Sequence, residues 1–123
     1  MYQKILVGTD GSSTAAKAVD RAVEVAVSAG AELTIFSAGA ADKGEKVVAA
    51  EAARHASAGI SIATRVIDAD PVSGLVAEAT AGGFDLLVMG NKGMTGLTRF
   101  LRGSVPNKVA HHLPCNLLIV KTT

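Results

Sequence analysis

Short runs of β-branched and aliphatic residues alternate with longer stretches of helical period along this chain, and that alternation restricts it to an α/β architecture. Ile5-Leu6-Val7-Gly8 reads as a buried strand that stops at a glycine. From about Ser13 to Ala29, Ala15, Val19, Ala22 and Ala26 recur at steps of three and four, which is one face of a helix. Ser12 or Ser13 can cap its start and Gly30 can end it. Glu32 to Ala38, carrying Leu33, Ile35 and Phe36, is a second strand. Gly39 to Gly44 is expected to be a flexible connection, followed by a helix from about Glu45 to Ala58 that Gly59 stops. Ile60 to Ile67 alternates apolar and polar residues and reads as a third strand. Asp70-Pro71 starts another helix, with Asp as cap and Pro in the first turn; Val72, Leu75, Val76 and Ala79 form its face and Gly82-Gly83 its end. Phe84 to Met89 is the fourth strand, Gly90 to Gly103 a glycine-rich loop, Ser104 to His112 the last helix, and Asn116 to Lys121 the final strand.

The 123 residues amount to one domain, expected to span 1–123 without linker or repeat. Strands alternating with helices imply an open five-stranded parallel sheet with helices on both faces, Rossmann-like, and right-handed crossovers favour the strand order 3-2-1-4-5. In that order the winding reverses between strands 1 and 4. Ligands of open α/β sheets bind in the crevice beyond the carboxyl ends of the strands at such a reversal. Twelve basic and eleven acidic side chains leave a net charge of +1, which gives no reason to expect nucleic acid or an anionic membrane as partner. One cysteine, Cys115, cannot form an internal disulfide. Met1 to Lys4 runs into the first strand with no signal region, and no apolar run nears the roughly 20 residues that span a bilayer, so the expected location is the cytoplasm.

Two segments at strand ends carry the chemistry. Gly8-Thr9-Asp10-Gly11-Ser12 follows the first strand, and Gly90-Asn91-Lys92-Gly93, continuing to Gly103-Ser104, follows the fourth. They are far apart in sequence, and the expected topology sets them side by side. Glycines let a backbone approach a ligand closely, so that successive N–H groups can surround phosphate oxygens. Gly103-Ser104 opens the last helix, where free N–H groups and the positive dipole end suit a phosphate; Pro106 falls in the first turn, where its missing N–H costs little. Asp10 has two readings of similar weight: a cap for the following helix, or an acceptor for ribose hydroxyls or a ligand for Mg²⁺. The loop is not a Walker P-loop, because no Gly-Lys-Ser/Thr closes it.

The spacing Gly90-x2-Gly93-x9-Gly103-Ser104 resembles the ATP-binding signature of the universal stress protein family, G-x2-G-x9-G-(S/T). Lys4 to Ser12 is similar to that family's opening strand, Asp85 to Gly90 to its fourth strand, and Gly103 to Val105 with Pro114 to Val120 to its closing segment. The resemblance covers essentially the whole chain, read as a single universal stress protein domain of the adenine nucleotide alpha hydrolase-like type. It implies ATP as ligand, with or without Mg²⁺, or alternatively cyclic AMP or AMP. It implies that Asp10 contacts ribose, that the backbone of Ala38 lies against adenine, and that Gly90 lies near the ribose. Gly93, Gly103 and Ser104 would cradle the phosphates, while Gly8, Thr9, Met89 and Val105 complete the pocket. It further implies a homodimer through the final strand, Asn116 to Lys121, whose apolar edge would otherwise be exposed.

Several other residues have plainer roles. His111 and His112 are adjacent and point about 100° apart on a helix, so they do not share an ion easily, and no residue cluster has metal-ligand spacing. His55 is expected on a helix surface, and Cys115 as a small apolar filler rather than a nucleophile. Arg99 and Arg102 flank the loop as anion-attracting or simply solvated charges. No catalytic residue can be assigned. The leading expectation is therefore a nucleotide-binding stress-response or regulatory protein with little or no turnover. The alternatives are a weak Mg-dependent ATPase using Asp10, a cyclic AMP-binding protein, and a nucleotide-free interaction module.

Overall fold

A computed structural model describes residues 1–93 and 113–122. The first strand, β1 (Lys4–Gly8), leads into α1 (Ser13–Ala29) and β2 (Glu32–Ala38). Then come α2 (Ala41–Arg54), β3 (Ile62–Ile67), α3 (Pro71–Ala81), β4 (Leu86–Gly90) and, after a 3₁₀ turn at Asn91–Gly93, β5 (Asn116–Val120). The strands form one five-stranded sheet in the order β3-β2-β1-β4-β5. Every pairing is parallel, with Val7 beside Ile35 on one flank and Val88 on the other. The expected fold class and strand order hold.

The sheet separates two cores because successive strand residues face opposite ways. On one face Ile5, Val7, Leu33, Ile35, Leu86 and Val88 meet Val19, Ala22 and Ala26 of α1 and Val48 of α2. On the other, Leu6, Phe36 and Leu87 meet Leu75 and Ala79 of α3 together with Phe84, while Leu113, Cys115 and Leu117 pack at the margin. The alanine-rich face of α1 lets that helix lie close on the sheet. Ser12 caps it, its side chain accepting from the Ala15 N–H, and Gly30 closes it in the left-handed conformation at φ 65°.

Element bounds differ from expectation in five places, the smallest at β1, which starts at Lys4 rather than Ile5. The segment from Gly39 to Gly44 is not a connection: α2 begins at Ala41 and ends at Arg54, four residues early at each end relative to 45–58. Its buried face is Gly44, Val48 and Glu51, a glycine and an acid in an i, i+4, i+7 stripe, so apolar periodicity could not locate it. β3 starts at Ile62 rather than Ile60, β4 runs Leu86–Gly90 rather than Phe84 to Met89, and β5 stops at Val120. Strand ends here follow where backbone pairing with a neighbour stops rather than where apolar residues stop. The expected last helix, Ser104 to His112, lies outside the described residues, as does most of the loop from Gly90 to Gly103.

His55 is a further correction. It ends α2 and is half-buried rather than on the surface, with Nε2 3.0 Å from Asp20 Oδ1 of α1. Arg54 joins the same contact, 2.8 Å from Asp20 Oδ1 and 2.5 Å from the buried Glu51 carboxylate. The pairing with Glu51 raises the Arg54 pKa above its ordinary value, so α1 and α2 are tied by a charge that stays on. Cys115 is partly buried, and burial followed by the Asp85 charge pushes its thiol pKa up, in keeping with a filler rather than a nucleophile.

Candidate functional site

β1 and β4 are neighbours, and the helices that follow β1 and precede β4 lie on opposite faces of the sheet. Their carboxyl ends therefore part, and a cleft of about 410 Å³ opens between them. That volume falls within the 300–1,000 Å³ typical of small-ligand sites (about that range). Gly8, Thr9 and Asp10 form one wall and Met89 and Gly90 another; Ala38 and Phe36 come from β2. Pro71, Val72 and Leu75 of α3 supply an apolar side, and Ser12, Thr14 and Ala15 at the start of α1, with Lys92 and Thr122, are further lining residues. Thus six of the expected residues, Gly8, Thr9, Asp10, Ala38, Met89 and Gly90, converge on one cleft. Gly93 ends the 3₁₀ turn that follows β4. Gly103, Ser104 and Val105 lie outside the described residues.

The turn after β1 is ordered by its own side chains. Thr9 Oγ1 accepts from the Gly11 N–H at 3.1 Å, and Asp10 Oδ1 accepts from the Ser12 N–H at 2.9 Å. Gly11 between them has φ 83°, which a residue with a side chain rarely adopts, and a Cβ there would lie 2.8 Å from Val47 Cγ2. Asp10 is therefore not the cap of α1, a place Ser12 takes. It stands exposed at the cleft, and its bonds from Ser12, with a smaller pull from Lys43, hold its pKa below the ordinary carboxylate value. An anionic acceptor at the end of β1 thus persists across the neutral range.

Several lining residues were not anticipated. Pro71, Val72 and Leu75 lie in the first turns of α3, and the Asp70-Pro71 start signal, combined with the strand order, sets that helix end beside the carboxyl ends of the strands. Asp70 Oδ2 accepts from the Ser73 N–H at 3.1 Å as expected of a cap. Leu75 also accounts for Gly8: a Cβ at position 8 would meet Leu75 Cδ2 at 3.2 Å. Lys92 and Thr122 had no local signal, since a lysine in a loop and a threonine after a strand are ordinary. Among the described residues, no group of three or more His, Cys, Asp and Glu is placed to hold a metal, and no helix is long and apolar enough to cross a membrane.

An open, all-parallel sheet with a ligand-sized cleft at its switch point defines a Rossmann-like α/β domain of the adenine nucleotide alpha hydrolase-like kind. The model of the universal stress protein family matches residues 1–39 and 36–121. Universal stress protein Rv1636 of Mycobacterium tuberculosis is 34% identical over 144 residues, covering 99% of this chain and 98% of its own. YxiE of Bacillus subtilis is 28% identical over 148 residues, covering 98% of this chain and all of its own. Among solved structures, a universal stress protein in complex with cAMP aligns with a TM-score of 0.79 at 34% identity, covering 99% of each chain. The chain belongs to the universal stress protein family.

Proposed function

We propose that this protein binds an adenine nucleotide in the cleft between β1 and β4 and acts as a regulatory or stress-response module of one domain spanning residues 1–123. The observation that carries the reading is the convergence of Asp10 with Met89, Gly90 and the start of the glycine loop on one ligand-sized cleft. Asp10 would accept from ribose hydroxyls, the apolar side formed by Ala38, Val72 and Leu75 would take the base, and Gly93, Gly103, Ser104 and Val105 would surround the phosphates. Lys92, the one cation among the described lining residues, supplies positive charge for them. ATP is the primary ligand of this reading. If Mg²⁺ accompanies it, Asp10 is the one carboxylate among the described lining residues and would share the ion with phosphate oxygens. Cyclic AMP is a second reading, favoured by the 34%-identical relative solved with it.

Slow turnover fits the same geometry. A general base works best with a pKa near the operating pH, and Asp10 is shifted in the other direction. Replacing Gly93 by valine is expected to weaken binding of ATP and of cyclic AMP at least tenfold, since a branched side chain would stand between the turn and a phosphate. Calorimetry on the folded G93V protein checks this, and wild-type affinity for both ligands would remove Gly93 from the site. Mass spectrometry of material released from freshly purified protein identifies which nucleotide it carries.

The homodimer belongs to this proposal as well. Among the described residues β5 pairs only with β4, which leaves its other edge without a strand, and Leu117, Leu118 and Ile119 are half-buried. Pairing two such edges about a two-fold axis would satisfy their backbone groups and cover those side chains. Light scattering at micromolar concentration is expected to give twice the chain mass; a monomer throughout that range contradicts the contact.

A further inference from the structure

Thr122 lies two residues beyond β5, yet it is only 3% exposed and forms part of the cleft wall. Three bonds fix it. Its N–H donates to Asn91 Oδ1 at 2.9 Å, and its hydroxyl donates to the same oxygen at 2.7 Å. Lys17 Nζ of α1 donates to its carbonyl at 3.2 Å. A backbone N–H can only donate, so the Asn91 atom facing it must be the amide oxygen. With Oγ1 held by Asn91, the χ1 angle of this β-branched residue is set, and Cγ2 has one place to go.

That place is beside Gly90. A Cβ at position 90 would sit 3.2 Å from Thr122 Cγ2, 3.7 Å from Thr122 Oγ1 and 3.8 Å from Ala18 Cβ. It would lean on Thr122 and toward the buried Ala18. A neighbour that could turn would relieve a 3.2 Å contact, but Thr122 is pinned at its nitrogen, hydroxyl and carbonyl. Any side chain at 90 must therefore displace either Thr122 or the start of the loop.

We infer that Thr122 is a positioning residue for the nucleotide cleft: clamped by Asn91 and Lys17, it sets the height at which the chain leaves β4 for the glycine loop, and its methyl group is the reason position 90 requires glycine. This inference rests on the proposed nucleotide site. It assigns the first glycine of the loop to packing rather than to close approach by a ligand.

The two roles separate in a double-mutant cycle on the full chain. Thr122→Ser removes Cγ2 and keeps both bonds to Asn91. Gly90→Ala alone is expected to weaken ATP and cyclic AMP binding about tenfold by calorimetry and to speed amide hydrogen exchange at residues 90–93. T122S alone is the second single variant of the cycle, measured in the same two assays as the reference for the pair. The G90A/T122S pair should recover affinity to within about threefold of wild type and restore slow exchange. N91A, which releases the clamp and leaves position 90 untouched, should also speed exchange at 90–93. A double variant as weak and as fast-exchanging as G90A overturns the inference. Hydrogen exchange needs no nucleotide, so a wild-type protein that binds neither probe would reject the nucleotide reading, while recovery or non-recovery of exchange would still decide the role of Thr122.

Discussion

Replacing Phe36 by alanine is expected to destabilise the domain by about 3 kcal/mol, near the lower end of the range for deleting a buried aromatic side chain. Phe36 is 2% exposed and stands in the middle of the sheet's second core, against Leu6, Leu75, Ala79, Phe84 and Leu87. Aromatic residues make up 3% of the chain, so no other large ring from β2 can take up the space. The ring also contacts the backbone region of α3: a Cβ at Gly74 would lie 3.4 Å from its Cζ. Because Phe36 also borders the cleft, water can enter part of the void, which holds the cost near the bottom of the range rather than the top. Against a total of about 5–15 kcal/mol for a typical domain, this is a large fraction. Urea unfolding is the direct measurement, with the midpoint falling and the slope unchanged. A loss under about 1 kcal/mol would mean that α3 collapses onto the sheet more readily than close packing allows. The same substitution removes part of the cleft floor, so any nucleotide affinity of the wild-type protein should fall with it.

Most of the fold was legible because a parallel sheet is buried on both faces, and its strands are continuous apolar runs that need no partner to be recognised. Ile5-Leu6-Val7 and Leu86-Leu87-Val88 are such runs, and they are the two strands that flank the cleft. Right-handed crossovers narrow the topologies, and the expected order 3-2-1-4-5 makes these strands neighbours, so it sets two segments some 80 residues apart side by side. The cleft inherited that legibility through Gly8, Thr9, Asp10, Met89 and Gly90. What was not legible has a common cause. Gly44, Glu51, His55 and Thr122 are each of a type that local pattern assigns to turns or solvent, and each is buried or half-buried in the docked structure, Gly44, His55 and Thr122 against partners distant in sequence and Glu51 beside its helix neighbour Arg54. Glu51 is buried because Arg54 neutralises it, His55 is covered at Asp20, and Thr122 is held by Asn91. No period or propensity encodes such pairings; they emerge only when the helices dock.

Gly44 offers the sharpest test of that docking, since a glycine near a helix start would ordinarily be read as a weak point in the helix. A Cβ at position 44 would lie 2.4 Å from Val66 Cγ1, with Val66 Cγ2 at 3.3 Å and Cβ at 3.5 Å. The first of these separations cannot stand, so either Val66 or the whole of α2 must move. Val66 is in β3, partly buried and packed against the first core, and its β-branched side chain has few rotamers into which to turn. Gly44→Val should therefore cost about 3 kcal/mol, the upper end for overpacking a core, and the slightly better helix propensity of valine offsets only about 0.5 kcal/mol of it. Val66→Ala removes both Cγ atoms and leaves the nearest remaining atom at the ordinary contact distance of 3.5 Å. Alone it should cost about 1–2 kcal/mol through lost burial. The double variant nearly conserves volume across the contact, so it should be more stable than G44V alone and should fall short of the summed single costs by about 1 kcal/mol or more. Chemical denaturation of the four proteins supplies the cycle. Costs that simply add to within about 0.5 kcal/mol would mean that positions 44 and 66 do not meet, and that the closeness of α2 to β3 has some other cause.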